Sequence, residues 1–465
     1  MTKRTSRPNI VLCVCDQLRP HEVGCYGHPL VRTPNLDRLA REGVRFANAV
    51  TNVPVCMAAR SVLLSGQHNR TCTGGVLNVV YPGRPGDFNL PEYPERGRPH
   101  LKDPALPEIL RGAGYRTDVI GKWHIHSWPD EVGFDHYLIP RVHHCHSGQS
   151  FTQDGGEEFV PPGYSVDFEA GRVEQYLEEQ AARRGGPFFL YYAISPPHCP
   201  VADAPEKYLR MYDPASVPLR PNADPTRPFT HEDYWFRVYR WDFRYYNLKL
   251  PYTERLPEGY GLRELIAEYL GATTWMDAAV GRMLAALDRT GLAGNTLVVF
   301  TSDHGDSLGS LGLVQKGTPN EESIRVPLLW RWPGHVPAGR VEGRGVPSLV
   351  DIAPTLLRAA GLEPPGHIQG CDLGPVLAGR PGARAPAEAF VEYDDWLGLR
   401  TPDCTLTLGK KDGRLSSTPT HYWNLREDPY QMRNLAAEAA SRGRTRELIE
   451  KLAAWDRRTP WMKTA

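Results

Sequence analysis

An unbroken apolar run, Ile10-Val-Leu-Cys-Val-Cys15, stands near the start of the chain. A strand covered on both faces reads this way, whereas a half-exposed strand alternates apolar and polar positions. Further strands are predicted at 116–121, 188–195, 296–302 and 326–331, and residues 44–50 read as a shorter one. Between them the pattern is helical. Thr33 is placed to cap a helix with Pro34 at its first position, running to Glu42 and stopping at Gly43. Residues 57–64 are good helix formers that meet Gly66. Further helices are predicted from Asp103-Pro104 to Gly112 or Gly114, and at 166–184, 262–287 and 352–360. The Pro/Gly-rich stretch 81–99 reads as loop.

Strands alternating with helices predict an α/β fold, a mostly parallel sheet sandwiched by helices. After about residue 366 the character changes to short strands at 389–393, 405–408 and 421–425, closed by a helix over 434–455. The chain is therefore divided into a large α/β unit, 1–366, and a small α+β unit, 367–465, packed on it.

Composition narrows the partners. With 54 Lys and Arg against 54 Asp and Glu, the chain carries no basic surplus for nucleic acid. Nine cysteines without regular spacing argue against a disulfide framework. The run at 10–15 is too short for a signal-peptide core or a membrane span, so a cytoplasmic location with no membrane partner is expected.

Polar residues that could do chemistry come just after the strands: Asp16-Gln17, Lys122-Trp-His124, Pro197-His198 and Asp303-His304. Each alone reads as an ordinary loop residue. Together they fall at the carboxyl edge of an open α/β sheet, where sites form. Cys56 sits at or just before the first turn of its helix, where free N–H groups favour negative charge, and Arg60 lies one turn on along the same face. Asp16, Asp303 and His304 read as metal ligands, two carboxylates and an imidazole, and Gln17 offers a carbonyl oxygen. The imidazole makes Mn²⁺ a candidate beside Ca²⁺.

Cys56-Met-Ala-Ala-Arg60, followed by Ser65-Gly66, resembles the sulfatase signature Cys-x-Pro/Ala-x-Arg, with Ala58 where most members carry Pro. Asp16-Gln-Leu-Arg19, Thr33-Pro-Asn-Leu-Asp37, Gly121-Lys-Trp-His124, Thr301-Ser-Asp-His-Gly305 and Lys316 extend the likeness, and Tyr422-Trp-Asn-Leu425 resembles the family's C-terminal segment. His304, where many sulfatases have Asn, resembles the phosphonate monoester hydrolase and choline sulfatase branch of the alkaline-phosphatase superfamily. The resemblance implies that Cys56 is converted to formylglycine by a formylglycine-generating enzyme. It implies one divalent ion, Ca²⁺ or Mn²⁺, held by Asp16, Gln17, residue 56, Asp303 and His304. It also implies that one hydroxyl of the hydrated aldehyde attacks sulfur and the other then collapses to expel sulfate. On that pattern Arg60 orients the diol, His124 is the base for collapse, Lys122 and Lys316 neutralise the transferred group, and His198 protonates the leaving alcohol. The expected activity is hydrolysis of a small sulfate monoester. The alternatives are a phosphonate monoester or phosphodiester hydrolase with the same site and, more remotely, a non-catalytic binding module.

Some signals lie outside this scheme. His143-His144-Cys145-His146 has zinc-like residue types but unfavourably adjacent ligands, and reads better as a substrate-facing loop. The aromatic segment 229–260 reads as a lid or as a homo-oligomer interface. Cys13 and Cys15 read as buried thiols. Substrate choice is expected in loops 81–100, 140–165 and 200–260.

Overall fold

The computed structural model describes residues 7–463 apart from 79–92, 95, 142–144, 184, 225, 227–238, 240–256, 412 and 440–442. The apolar run near the start forms β1 (Asn9–Asp16), buried along its whole length. The strands that join it are β2 (Val44–Phe46), β3 (Arg116–Gly121), β4 (His136–Pro140), β5 (Phe151–Gln153), β6 (Phe188–Pro197), β7 (Thr296–Ser302), β8 (Leu328–Arg331) and β9 (Arg340–Glu342). They make a nine-stranded sheet in the order β5-β4-β3-β6-β1-β7-β8-β2-β9. The middle, β4-β3-β6-β1-β7, is parallel, and β5 and β8 add antiparallel to it.

The described helices of seven residues or more are α1 (Pro34–Glu42), α2 (Cys56–Ser65), α3 (Leu106–Gly112), α4 (Ser165–Ala182), α5 (Leu262–Arg289), α6 (Ile352–Ala359) and α7 (Gly443–Arg458). Because successive strand residues face opposite ways, β1 feeds two cores. Val11, Cys13 and Cys15 pack with α1, α4 and α5, while Ile10, Leu12 and Val14 pack with α2, α3 and α6. Burial pushes the Cys13 thiol up, as befits a core residue.

Two local expectations need correction. Thr33 does not cap α1 through its side chain. Its hydroxyl accepts from Gly24 N–H at 2.8 Å, and the N–H groups of Asn35 and Leu36 go instead to Asp277 of α5, at 3.2 and 2.8 Å. A cap borrowed from 241 residues away leaves no local trace. The strand expected at 44–50 ends at Phe46, because the Arg325 guanidinium occupies the Ala47 carbonyl that a further strand partner would need.

A second sheet, separate and antiparallel, runs β10 (Ala389–Glu392), β11 (Trp396–Arg400), β12 (Cys404–Lys411), β13 (Arg414–Asn424) in that order. β11 was not anticipated, and the helix expected over 434–455 is a single turn, Ala436–Ala439, and then α7. Leu397, Leu399, Leu406 and Leu408 pack on Leu448, Leu452 and Trp455 of α7. The alternate residues of β11 look the other way. Trp396 joins Val50, Ile324 and Val346, and the Arg400 guanidinium pairs with both oxygens of buried Glu321 at 3.0 and 2.9 Å. Despite its burial, Glu321 is held below the usual carboxylate range by Arg400. No helix among the described residues is long and apolar enough to cross a membrane.

Removing one partner of a buried ion pair strands the other charge. Arg400→Ala should therefore lower unfolding stability by roughly 3–5 kcal/mol in urea titrations, with Arg400→Met plus Glu321→Met recovering most of it. A loss below about 1 kcal/mol for the single change would show that the pair does not hold the second sheet in place.

Candidate active site

β1, β3, β6 and β7 run parallel, so their carboxyl ends meet at one edge. β1 ends at Asp16, Lys122 and His124 follow β3, His198 follows β6, and Asp303 and His304 follow β7. α2 begins at Cys56 after an extended Val55 that offers no side-chain cap, leaving its first N–H groups without helical partners. Gly66, left-handed at φ 64°, ends the helix where the sequence puts the stop.

Arg60, fully buried, ties these ends together. Its Nε donates to Asp303 Oδ2 at 2.9 Å, Nη2 to Asp16 Oδ2 at 3.0 Å, and Nη1 to the Lys122 carbonyl at 2.9 Å and the Tyr191 hydroxyl at 3.4 Å. Lys122 Nζ reaches the same Asp16 oxygen at 2.7 Å. Cys56 Sγ lies 3.1 Å from His304 Nε2, 3.1 Å from Lys316 Nζ and 3.6 Å from Asp16 Oδ1, and His124 hydrogen-bonds it as well. Lys316 Nζ also donates to Gln17 Oε1 at 2.8 Å and sits 3.0 Å from His198 Nε2. Every residue singled out from the sequence as catalytic or ligating thus lies in one cluster.

The ligand atoms of Asp16, Cys56, Asp303 and His304 are all within 4.8 Å of one another. Among the described residues no other group of three or more such side chains is gathered this way. His304 Nδ1 donates to the Gly305 carbonyl at 2.8 Å, which leaves the Nε2 lone pair facing the group, the tautomer a metal needs. Burial and the Asp16 charge raise the Asp303 carboxyl to about 7. Burial opposes the Asp16 charge too, but Lys122, Arg60 and Lys316 hold its carboxyl well below the usual range. Two buried carboxylates beside an imidazole lone pair fit a divalent ion that takes oxygen and nitrogen ligands.

Burial, Lys122 and Lys316 hold His198 well below its ordinary value, with Nδ1 donating to the Cys199 carbonyl at 2.6 Å. Two residues at strand exits, Gln17 at φ 65° and His124 at φ 45°, take the left-handed conformation that side chains disfavour. Such conformations gather at functional sites.

Sequence reasoning passed over Tyr191, hidden in the apolar run of β6, Asp306 and Tyr269, which contact Gln17, and Tyr239, which donates to Asp306. None carries a local signal. Of the zinc-like run, His143 and His144 lie outside the described residues, and His146 is buried edge-on to Trp275 with ring centroids 5.5 Å apart. Most of 81–100 and of 229–260 also lies outside the described residues.

The family model for sulfatases matches residues 8–362. The chain belongs to the sulfatase family. A second model, for the C-terminal region of N-sulphoglucosamine sulphohydrolase, matches residues 309–458, from before Lys316 to the end of α7. This sulfatase is 31% identical to an ulvan-active sulfatase of Formosa agariphila, over 96% of this chain and 80% of the relative. Among solved structures it resembles one in complex with its substrate D-glucosamine-2-N,6-O-disulfate, with TM-score 0.77, 26% identity and coverage of 97% and 98%. The phosphonate monoester hydrolase of Agrobacterium radiobacter shares the fold, with TM-score 0.70, 24% identity and coverage of 98% and 96%.

The unconverted Cys56 thiol provides a test of this electrostatic setting. Burial and Asp16 raise it, but Lys316, Lys122 and His124 outweigh them and lower it to about 7. In metal-free protein, the ultraviolet thiolate absorbance that disappears in Cys56→Ser should rise through a midpoint near 7. A midpoint at 9 or above would mean that the lysines do not act on the sulfur.

Proposed function

We propose that this sulfatase hydrolyses a small sulfate monoester, with residue 56, matured from Cys to formylglycine by a formylglycine-generating enzyme, as its nucleophile. The observation that carries the reading is the convergence of Lys316, His304, Asp16 and His124 on Cys56 Sγ at the N-terminus of α2. Asp16, Gln17, Asp303, His304 and residue 56 would hold one divalent ion, Ca²⁺ or Mn²⁺. When bound, the ion supplies positive charge that favours an ionised nucleophile and a bound anion.

The remaining roles belong to the chain's own side chains. Lys122 and Lys316 face the position of the sulfate and offset its charge, while Arg60 fixes the geometry of residue 56 through Asp16 and Asp303. One hydroxyl of residue 56 gives up its proton to solvent, its oxygen bonds to sulfur as the bond to the leaving oxygen breaks, and His198 Nε2 delivers a proton there. His124 then takes the proton of the second hydroxyl, the C–O bond to sulfate breaks, and the aldehyde returns. Burial lowers the His124 imidazole, which keeps it neutral and ready to accept. The two lysines disfavour a protonated His198 before substrate arrives, and the sulfate anion between them reverses that balance.

His304 also favours a second reading, a phosphonate monoester or phosphodiester hydrolase, whose fold this chain shares. Nine free cysteines support a reducing, cytoplasmic setting. We take the catalytic unit as 1–366 and the smaller unit as 367–465.

Cys56→Ala should abolish turnover of an aryl sulfate while circular dichroism stays close to wild type. Lys316→Ala should lower kcat by roughly 10²–10³. Full activity of Cys56→Ala would move the nucleophile elsewhere, and a kcat/KM for phenyl phosphonate ester several orders above that for aryl sulfate would favour the second reading.

A further inference from the structure

Gln17 presents an amide to the catalytic cluster, and an amide can serve a cation only through its oxygen. Which end points inward is fixed by its neighbours. Oε1 faces Lys316 Nζ at 2.8 Å, a group that can only donate. Nε2 faces Asp306 Oδ2 at 2.5 Å. The backbone of Gln17 is pinned as well, with its N–H on Asp303 Oδ1 at 3.1 Å, its carbonyl accepting from the Tyr269 hydroxyl at 2.5 Å, and φ at 65°.

Asp306 has its own fixed surroundings. It is fully buried, and its Oδ1 accepts from the Leu308 N–H at 2.8 Å and from the Tyr239 hydroxyl. That hydroxyl itself accepts from the Gln315 N–H at 2.6 Å, so its proton is committed to Asp306. Three donors thus converge on one carboxylate, which has an acceptor for each. The Gln17 NH₂ is one of the three, and it is drawn away from the ion-binding side.

We propose that Asp306 is a positioning residue that holds the Gln17 amide with its carbonyl oxygen, and not its NH₂, toward the metal-ligand cluster. The inference rests on the metal reading above. Without this acceptor, a half-turn of the amide would set NH₂ hydrogens against Lys316 and against any cation beside it. Groups that orient a metal ligand from behind commonly matter nearly as much as the ligand.

The test is calorimetric titration of the full chain with Ca²⁺ and, separately, with Mn²⁺, with folding checked by circular dichroism. Asp306→Asn keeps the shape but leaves one oxygen for three donors. Leu308 and Tyr239 claim that oxygen, so the new NH₂ faces Gln17 and turns its amide round. Binding of the ion should weaken by roughly 10–100-fold, and Gln17→Ala should weaken it similarly. Asp306→Asn added to Gln17→Ala should cost nothing further, and Gln17→Glu combined with Asp306→Asn should restore binding to within a few-fold of wild type. Unchanged binding in Asp306→Asn overturns the proposal. So does an equal loss when that change is made in the Gln17→Ala background, which would reveal a through-space charge effect. A wild-type chain that takes up neither ion overturns the metal reading together with this one, whereas one that binds an ion without this coupling overturns only the role of Asp306.

Discussion

Two carboxylates, Asp16 and Asp303, meet in the interior with no exposure to solvent, and the Arg60 guanidinium bridges them. Like charges at such a distance, taken out of water, would drive the ends of β1 and β7 apart unless a cation lay between them. Arg60 meets that requirement with a planar fork, which grips an oxygen of each acid and has a further N–H for the Lys122 carbonyl after β3. One side chain from α2 therefore sets the spacing of three strand exits. Because Arg60 is one helical turn beyond Cys56, the same bridge sets where the sulfur sits.

The order of importance follows from this. Charge in the cluster is not balanced by surface groups, which water would screen, but by a closed set of neighbours in a medium of low polarity. The two acids are accordingly pulled in opposite directions, Asp16 toward permanent ionisation and Asp303 toward neutrality. Paired groups whose environments separate them in this way are a usual sign of chemistry rather than of stability.

Much of this was legible in the chain. The apolar run at 10–15 and its counterparts gave the central strands because burial on both faces removes any need for alternation. The residues just after them gave the cluster because parallel strands deliver their ends to one edge. Strands β4, β5, β9 and β11 were not found, since short or half-polar segments are held by their neighbours rather than by their own pattern. The same reason hid Asp277, which caps a helix far from it in sequence, and Tyr191, Tyr239 and Asp306, which act through contacts that only folding creates. Thr33 misled because a good capping residue was already engaged with Gly24.

The antiparallel sheet also reaches the centre. Trp396 Nε1 donates to the Gly317 carbonyl at 3.1 Å, next to Lys316. Gly317 is left-handed at φ 91°, and a methyl group there would stand 2.7 Å from the Tyr393 hydroxyl. The absent side chain leaves room for the Tyr393 ring beside that loop. The loop that brings Lys316 to the cluster is thus tied to a residue about eighty positions downstream. The second sheet is therefore a buttress of the candidate site, bracing from outside the loop that carries Lys316.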